Sequence, residues 1–438
     1  MEKITNKKIL TVFTLCILIL VPFLKFFSMN LENFGILNNY DNINPAIILY
    51  VALPFLFFVY IKDIIDTKRK LDIFDYLFYI LFITGIISVI FAINKELAIF
   101  GKDFRHEGFL SILSYYLLFI NWKVNGTKED IKGYIKLLII LGIINSIYGL
   151  LQIYSPFKFI MRYGLDKQMA SGLCGNPNFF GSLIVTVISI VSCKFLIEKT
   201  ISIKEIAIIV LLFISLINSQ STGPFITFII VIIFLMFFLK NKKLLIIKNI
   251  LILLIILCVT YISVFFINKE VYKNSRCEMC DIEKTINNGG NGRLEIWKNS
   301  LDIVKEDFLV GIGFDNFYLK YPNPKIDNSI SIMVTDGNVE REEKKQILIY
   351  DNAHNVYLHT AVSTGLLGLI PYLLLCLFVF IKGLKFKNKL GILLLSGFVA
   401  YSIQAFANIS VIQVAPIYYI IIGLILSIKE EPNKTSNI

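Results

Sequence analysis

The sequence predicts an all-α integral membrane protein of about twelve transmembrane helices with one large extracytoplasmic loop, on three observations. Of 438 residues, 56% are hydrophobic and only 17% charged, whereas a soluble domain holds about a quarter of its residues as Asp, Glu, Lys or Arg. The mean hydropathy is +0.71. The apolar residues gather into runs rich in Ile, Leu and Phe, long enough to cross a hydrocarbon core about 30 Å thick, which needs roughly 20 helical residues. The alternating segments of about ten residues that mark a closed barrel are absent.

Apolar runs place spans near residues 9–28, 45–61, 74–94, 107–122, 134–155, 177–197, 205–220, 224–239, 244–267, 355–381, 390–410 and 414–428. The chain thus divides into a first membrane block at 1–267, a far more polar loop at 268–354, and a second block with a short tail at 355–438. The first run, Ile9 to Ser28, has no small-residue cleavage pattern after it and is expected to stay as a span. With the N-terminus inside, the cytoplasmic segments carry 24 Lys and Arg and the short outer loops six. That is the positive-inside bias; long loops translocate largely regardless of charge and do not count towards it. The long loop therefore lies outside, and both termini lie in the cytoplasm. The same bias accounts for the net charge of +11, so no nucleic-acid partner is expected.

Cys16, Cys193, Cys258 and Cys376 fall in or beside apolar runs and read as small buried hydrophobes, while Cys174 carries no motif. Cys277 and Cys280 form one CxxC without a second pair or a nearby His, a poor zinc signal that leaves a local disulfide or two free thiols open.

The chain uses Lys almost everywhere, and of its six arginines only Arg69 falls inside. Arg105, Arg162, Arg276, Arg293 and Arg341 fall outside, as do His106, His354 and His359 at or near the outer face. Arginine grips phosphate with a planar fork, and histidine exchanges protons near neutral pH. In the long loop, Leu294, Trp297, Leu301, Val304 and Phe308 recur at helical spacing, which sets Arg293 at or just before the start of an amphipathic helix. A helix start favours an anion; the plain alternative is a solvated charge. The loop ends in DNAHNVYLHTAVSTGLLG, where His354 is either a general base or an interfacial histidine bonded to a carbonyl.

The third outer element is GKDFRHEGF at 101–109, with Arg105, His106 and Glu107 at a membrane mouth. Asn145, Tyr148 and Gln152 share one face of the fifth span. GNPN (175–178) and SQSTGP (219–224) are mainly turn signals. Apart from borderline Lys25, the spans hold almost no charge away from their ends, which disfavours an ion-coupled transporter. The first outer loop has no Asp-x-Asp pair for a metal, so arginine rather than metal would neutralise a sugar diphosphate.

FRHEGF, GNPN, GRLEIW followed by VGIGFDNF, and AHNVYLHTAVSTGLLG, in this order around a large outer loop, resemble the bacterial O-antigen ligase and polysaccharide polymerase superfamily over nearly the whole chain. The resemblance implies a glycosyltransferase of GT-C architecture in the bacterial plasma membrane, independent of metal and cofactor. Such enzymes pass a glycan from undecaprenyl diphosphate to a hydroxyl of a glycan, lipid or protein acceptor at the outer leaflet. It makes Arg293 the loop arginine and His354 the histidine of a His-Asn motif, the two catalytic candidates. Arg105, which resembles an arginine before the fourth or fifth span, and Arg162 are diphosphate candidates. His106, Asn178 and Asn355 are polar candidates for the acceptor or lipid site. One departure is plain: many members have Ser-Arg-Gly in the outer hairpin, and here Thr222 stands in the arginine's place. A flippase for lipid-linked oligosaccharide is the other class to test, distinguished by translocation without bond cleavage.

Overall fold

The computed structural model describes residues 2–33, 44–103, 105–154, 169–239, 243–271, 292–321, 325–335, 338–348 and 350–429. Each apolar run forms a helix: α1 (Glu2–Asn33), α2 (Ile47–Thr67), α3 (Ile73–Ile90), α5 (Phe109–Asn125), α6 (Lys128–Tyr154), α7 (Pro177–Ile197), α8 (Ile203–Asn218), α9 (Thr222–Phe238) and α10 (Lys243–Val271) before the long loop. Short α4 (Lys95–Phe100) follows α3. Beyond the loop come α13 (Val356–Leu384), α14 (Lys389–Gln404) and α15 (Ala415–Ser427). The starts are written in the sequence. Asp72 caps α3 through the N–H groups of Phe74 and Asp75 in a capping box, Ser202 caps α8, and Asn388 caps α14. Pro177 opens α7 directly after the capping Asn176.

Among the described residues, eight helices are long and apolar enough to cross a membrane, where the sequence predicts about twelve spans. The shortfall is in α5, α8, α9 and α15, of 17, 16, 17 and 13 residues. Burial separates the middle of the bundle from its rim. Helix α5 packs on α2 and α15, and α7 on α9 and α14. The apolar window of α7 is 89% buried, that of α10 only 22%. Helices apolar all round belong inside a bundle, so short α5 and α15 are encased by neighbours while α10 presents Leu251, Ile255 and Phe266 outward.

At the end away from the long loop, buried carboxylates tie helices together. Asp75 accepts from Arg69 at 2.6 and 2.7 Å and from Lys123 at 2.8 Å. Asp63 accepts from Asn6 and Asn125. Such satisfied charges are tolerated in a bundle that leaves single ones unaffordable.

The long loop contributes α11 (Arg293–Glu306), the single turn α12 (Phe317–Lys320) and an antiparallel hairpin of β1 (Lys325–Thr335) and β2 (Asn338–Leu348). The hairpin is an addition to the expected all-helical fold. Gly292, at φ 81°, turns the chain into α11, so Arg293 is its first residue, as the periodicity predicts. The buried face is not the predicted one. Ile296, Ser300 and Ile303 are buried, with α11 packed against α13, while Leu294 and Leu301 are 63% and 51% exposed. This helix has apolar residues on two faces, and spacing alone cannot choose between them.

The VGIGF segment after α11 docks into a break in α13. At Gly365 the backbone leaves the helix (φ 61°, ψ −166°), a region essentially restricted to glycine. There Ile312 and Gly313 donate to the carbonyls of Val362 and Ser363 at 2.9 and 3.0 Å. Leu366 donates back to Phe308 at 2.8 Å, and Ser88 of α3 to Ser363 at 2.7 Å. A Cβ at Gly365 would lie 2.2 Å from the Leu309 carbonyl oxygen. The loop is thereby fixed to the bundle, and the carbonyls freed by the break find partners.

Candidate active site at the loop end of the bundle

The docked segment positions the next shell. Asn316 exchanges hydrogen bonds with the backbone of Asn94, accepting at 2.7 Å and donating at 3.1 Å. The Asp315 carboxylate accepts from the Lys102 N–H at 2.9 Å. The 101–108 segment, which carries Arg105, His106 and Glu107, is thus held by the long loop from one side. From the other, Ser111 of α5 donates to the His106 carbonyl at 2.6 Å, and Tyr115 donates to Glu107 at 2.7 Å.

Arg105 then reaches across to the end of the loop. Its Nε and Nη2 donate to both oxygens of Asp351, at 2.5 and 2.7 Å, a bidentate clasp between residues 246 apart. Three residues on, the His354 N–H donates to the Asn352 side chain at 3.1 Å, and His354 itself sits at φ 50°. Asn355 caps α13 through the Leu358 N–H at 3.0 Å. His354 is consequently held between a clasped carboxylate and a capped helix. Arg293, at the start of α11, lies close enough for its charge to act on His354.

The electrostatics follow from this packing. Burial disfavours the His354 imidazolium, and the Arg293 and Arg105 charges add to that against Asp351 alone, so its pKa is pushed down to about 4. His354 is therefore neutral at pH 7. Burial raises the Asp351 carboxyl, but the Arg105 charge and hydrogen bonds outweigh it and hold the group ionised below its ordinary value. Burial also pushes His106 down to about 4, with the Lys25 charge helping, and pushes Glu107 up to about 7 despite its hydrogen bonds. Burial lowers the pKa of Arg293 as well.

A narrow cleft lies beside Arg105, and its walls include Lys25, Asn176, Phe179 and Gln413. The polar face of α6 shapes it. Gln152 accepts from the N–H groups of Ser171 and Gly172, both at 2.9 Å, and Asn145 from that of Leu173 at 3.0 Å. These bonds fix the 3₁₀ turn Gly172–Cys174 that precedes α7. The Asn145–Gln152 face predicted in the fifth span thus builds the cleft wall. Arg105 Nη1 is buried and has no hydrogen-bond partner among the described residues. The same holds for His359 Nδ1, whose ring packs against Phe317 at 6.0 Å.

Of the residues singled out in the sequence, Arg105, His354 and Arg293 come together. His106 is buried beside them. Asn178 sits in the first turn of α7, accepting from Ser221 at 2.5 Å, and so ties the Ser221-Thr222 hairpin to the cleft. Arg162, with Arg276, Cys277 and Cys280, lies outside the described residues. Among those residues no group of three or more His, Cys, Asp or Glu could hold a metal. Sequence reasoning missed the pairing role of Asp351, the anchoring role of Asp315 and the inward position of Lys25. The DNAH run carried a signal for the first, since an aspartate beside a candidate base is a candidate partner.

Residues 207–373 match the family model described as O-antigen ligase. The matched segment runs from α8 through the long loop into α13, and contains Arg293 and His354 but not Arg105. No curated protein matches the chain. This match, on the segment that carries the docked loop, supports a likeness of this multi-pass membrane protein to the O-antigen ligase and polysaccharide polymerase superfamily.

Proposed function

We propose that this protein transfers a glycan from undecaprenyl diphosphate to an acceptor hydroxyl at the outer leaflet of the bacterial plasma membrane. In this reading the long loop is extracytoplasmic and both termini are cytoplasmic, and short α5, α8, α9 and α15 complete about twelve spans. The observation that carries it is the convergence of Arg105, Asp351, His354 and Arg293 at the loop end of the bundle, beside a narrow cleft.

The chemistry divides between the two kinds of side chain. The acceptor oxygen attacks the anomeric carbon, the bond from that carbon to the diphosphate oxygen breaks, and its electron pair leaves on the diphosphate. Arg105 and Arg293 oppose the charge that builds there, most effectively because they are already fixed and desolvated. His354, neutral at pH 7, takes the acceptor proton at its ring nitrogen. One displacement of this kind inverts the anomeric carbon. The groups at the site then have distinct duties: Asp351 orients Arg105, and the Asn352 and Asn355 bonds orient the segment that bears His354.

The test is reconstitution in vesicles with glycan-loaded undecaprenyl diphosphate and an extract of candidate acceptors, reading released undecaprenyl diphosphate. His354→Ala and Arg293→Ala are expected to abolish release while the protein still elutes as folded. Full activity in both variants would sink the proposal. Lipid movement between leaflets without release from any acceptor would put a flippase in its place.

A further inference from the structure

The apolar run of α1 ends in a lysine that does not behave as a lysine at a lipid boundary. There the long stem ordinarily carries its ammonium out to water. Lys25, at the loop end of the apolar stretch Asn6–Lys25, is instead only 6% exposed. It lines the cleft together with Arg105, and its charge reaches His106. Helix α1 packs against the 3₁₀ turn Gly172–Cys174, which brings it up to the same wall.

The cleft is electropositive by construction. Among the described residues its lining holds these two cations and no carboxylate, the Asp351 that pairs with Arg105 not being part of it. The start of the 21-residue helix α7 forms another part of the wall, through its capping Asn176 and Phe179. A helix start adds partial positive charge and N–H donors. The hairpin tied to that start, Ser219–Pro224, offers hydroxyls and an amide but no charge. Arg105 commits Nε and Nη2 to Asp351 and keeps Nη1 without a hydrogen-bond partner among the described residues. Two fixed cations and a helix start around the mouth of one narrow cleft suit negative charge on phosphate groups seated at that mouth.

We propose that Lys25 is a donor-binding residue, and that with Arg105 it holds the diphosphate of the prenyl carrier at the mouth of this cleft. The inference rests on the transferase reading and adds to it a cation from the first helix, far outside the family-matched segment. The position also suits the ligand's two halves: α1 leaves Phe23 and Phe27 exposed along the same stretch, at 52% and 42%, on the lipid side where a prenyl chain would run.

The experiment compares wild type, Lys25→Gln and Lys25→Arg in nanodiscs of phosphatidylcholine, with undecaprenyl diphosphate as the probe and inorganic pyrophosphate as competitor. Loss of a charge-assisted contact is expected to weaken probe binding about 10- to 100-fold in Lys25→Gln, with Lys25→Arg retaining most of it. In the transfer assay, KM for the donor rises while kcat changes little. Unchanged probe binding in Lys25→Gln overturns the inference and leaves the transferase reading standing. Weakened binding of phosphatidylglycerol with unchanged binding of the probe assigns the cleft to a lipid headgroup and overturns it too. Failure of the wild type to bind the probe overturns the transferase reading and this inference with it.

Discussion

Donor binding should switch His354 from a weak base into a competent one. In the free protein, burial and the Arg293 and Arg105 charges hold its pKa at about 4 instead of 6.5, about 3 kcal/mol against the imidazolium. A base that weak is neutral at pH 7 but takes a proton reluctantly. A bound diphosphate brings negative charge beside both arginines, cancels their share of the penalty, and leaves the share due to burial. The pKa of His354 then moves back toward its ordinary value only while the donor is present, which confines strong basicity to the loaded protein. The chain has three histidines, so each can be followed by NMR of protein labelled at histidine, in nanodiscs, between about pH 3.5 and about pH 8. His354 is expected to titrate near pH 4 alone and about one pH unit or more higher with undecaprenyl diphosphate bound. Arg293→Gln removes one of the two opposing charges and should raise the value in the free protein. Titration of His354 near 6.5 in the free wild type, or no change in Arg293→Gln, would refute the reasoning.

Three further perturbations separate the parts of the site. Asp351→Asn leaves the half-buried Arg105 charge without its partner and should cost about 1–3 kcal/mol of stability, less than breaking a fully buried pair; the melting temperature falls, and undecaprenyl diphosphate restores part of it, whereas a loss the ligand cannot reduce would mean Arg105 does not face the donor. Glu107 is raised to about 7 from 4.5, so its contribution to stability is fully present below pH 4.5 and lost as pH rises through 7. Glu107→Gln should melt like wild type at pH 5 and higher than wild type at pH 8, and equal melting at both would contradict the buried, protonated carboxyl. Gly365→Ala places a Cβ 2.2 Å from the Leu309 carbonyl oxygen and forces alanine into a glycine conformation. That should undock residues 308–313, seen as new proteolytic cleavage in 292–321, and retained protection would show that the break is not needed.

Much of the membrane block was legible because its signal is local. A run such as Pro177–Ile197 is apolar, capped by Asn176 and opened by proline, and each of those facts can be read within a few residues. The start of α11 was legible for the same reason: Gly292 and then Arg293 head an apolar period. Its orientation was not, since Ile296 and Ile303 compete with Leu294 and Leu301 for the buried side, and only the docking of α11 on α13 decides. The β1–β2 hairpin was not legible from the helical period that marks the rest of the chain. The Arg105–Asp351 clasp had none, because nothing in either neighbourhood names a partner 246 residues away. For Lys25 the sequence showed a charge at the edge of a span, and only the packing of α1 shows that it faces inward.

The break in α13 ties these long-range facts into one mechanism. A continuous helix through Gly365 would satisfy its own carbonyls and offer the loop nothing to bind; the interrupted one exposes Val362 and Ser363, and the loop answers with Ile312 and Gly313. In a low-dielectric setting those bonds are costly to lose, so the loop is anchored at this point and is not free to swing as a whole. Asp315 and Asn316, immediately beyond the anchor, then fix Lys102 and Asn94, and with them the segment that bears Arg105. His354 lies on the other strand of the same junction, just before α13 begins. Cation and base are therefore referenced to the same clamp, although Arg105 and His354 lie far apart in the sequence. On the proposed transferase reading, displacement at an anomeric carbon needs its base and its leaving-group cations held in a fixed relation, and the backbone clamp, extended by the Asp315 and Asn316 side chains, supplies that relation.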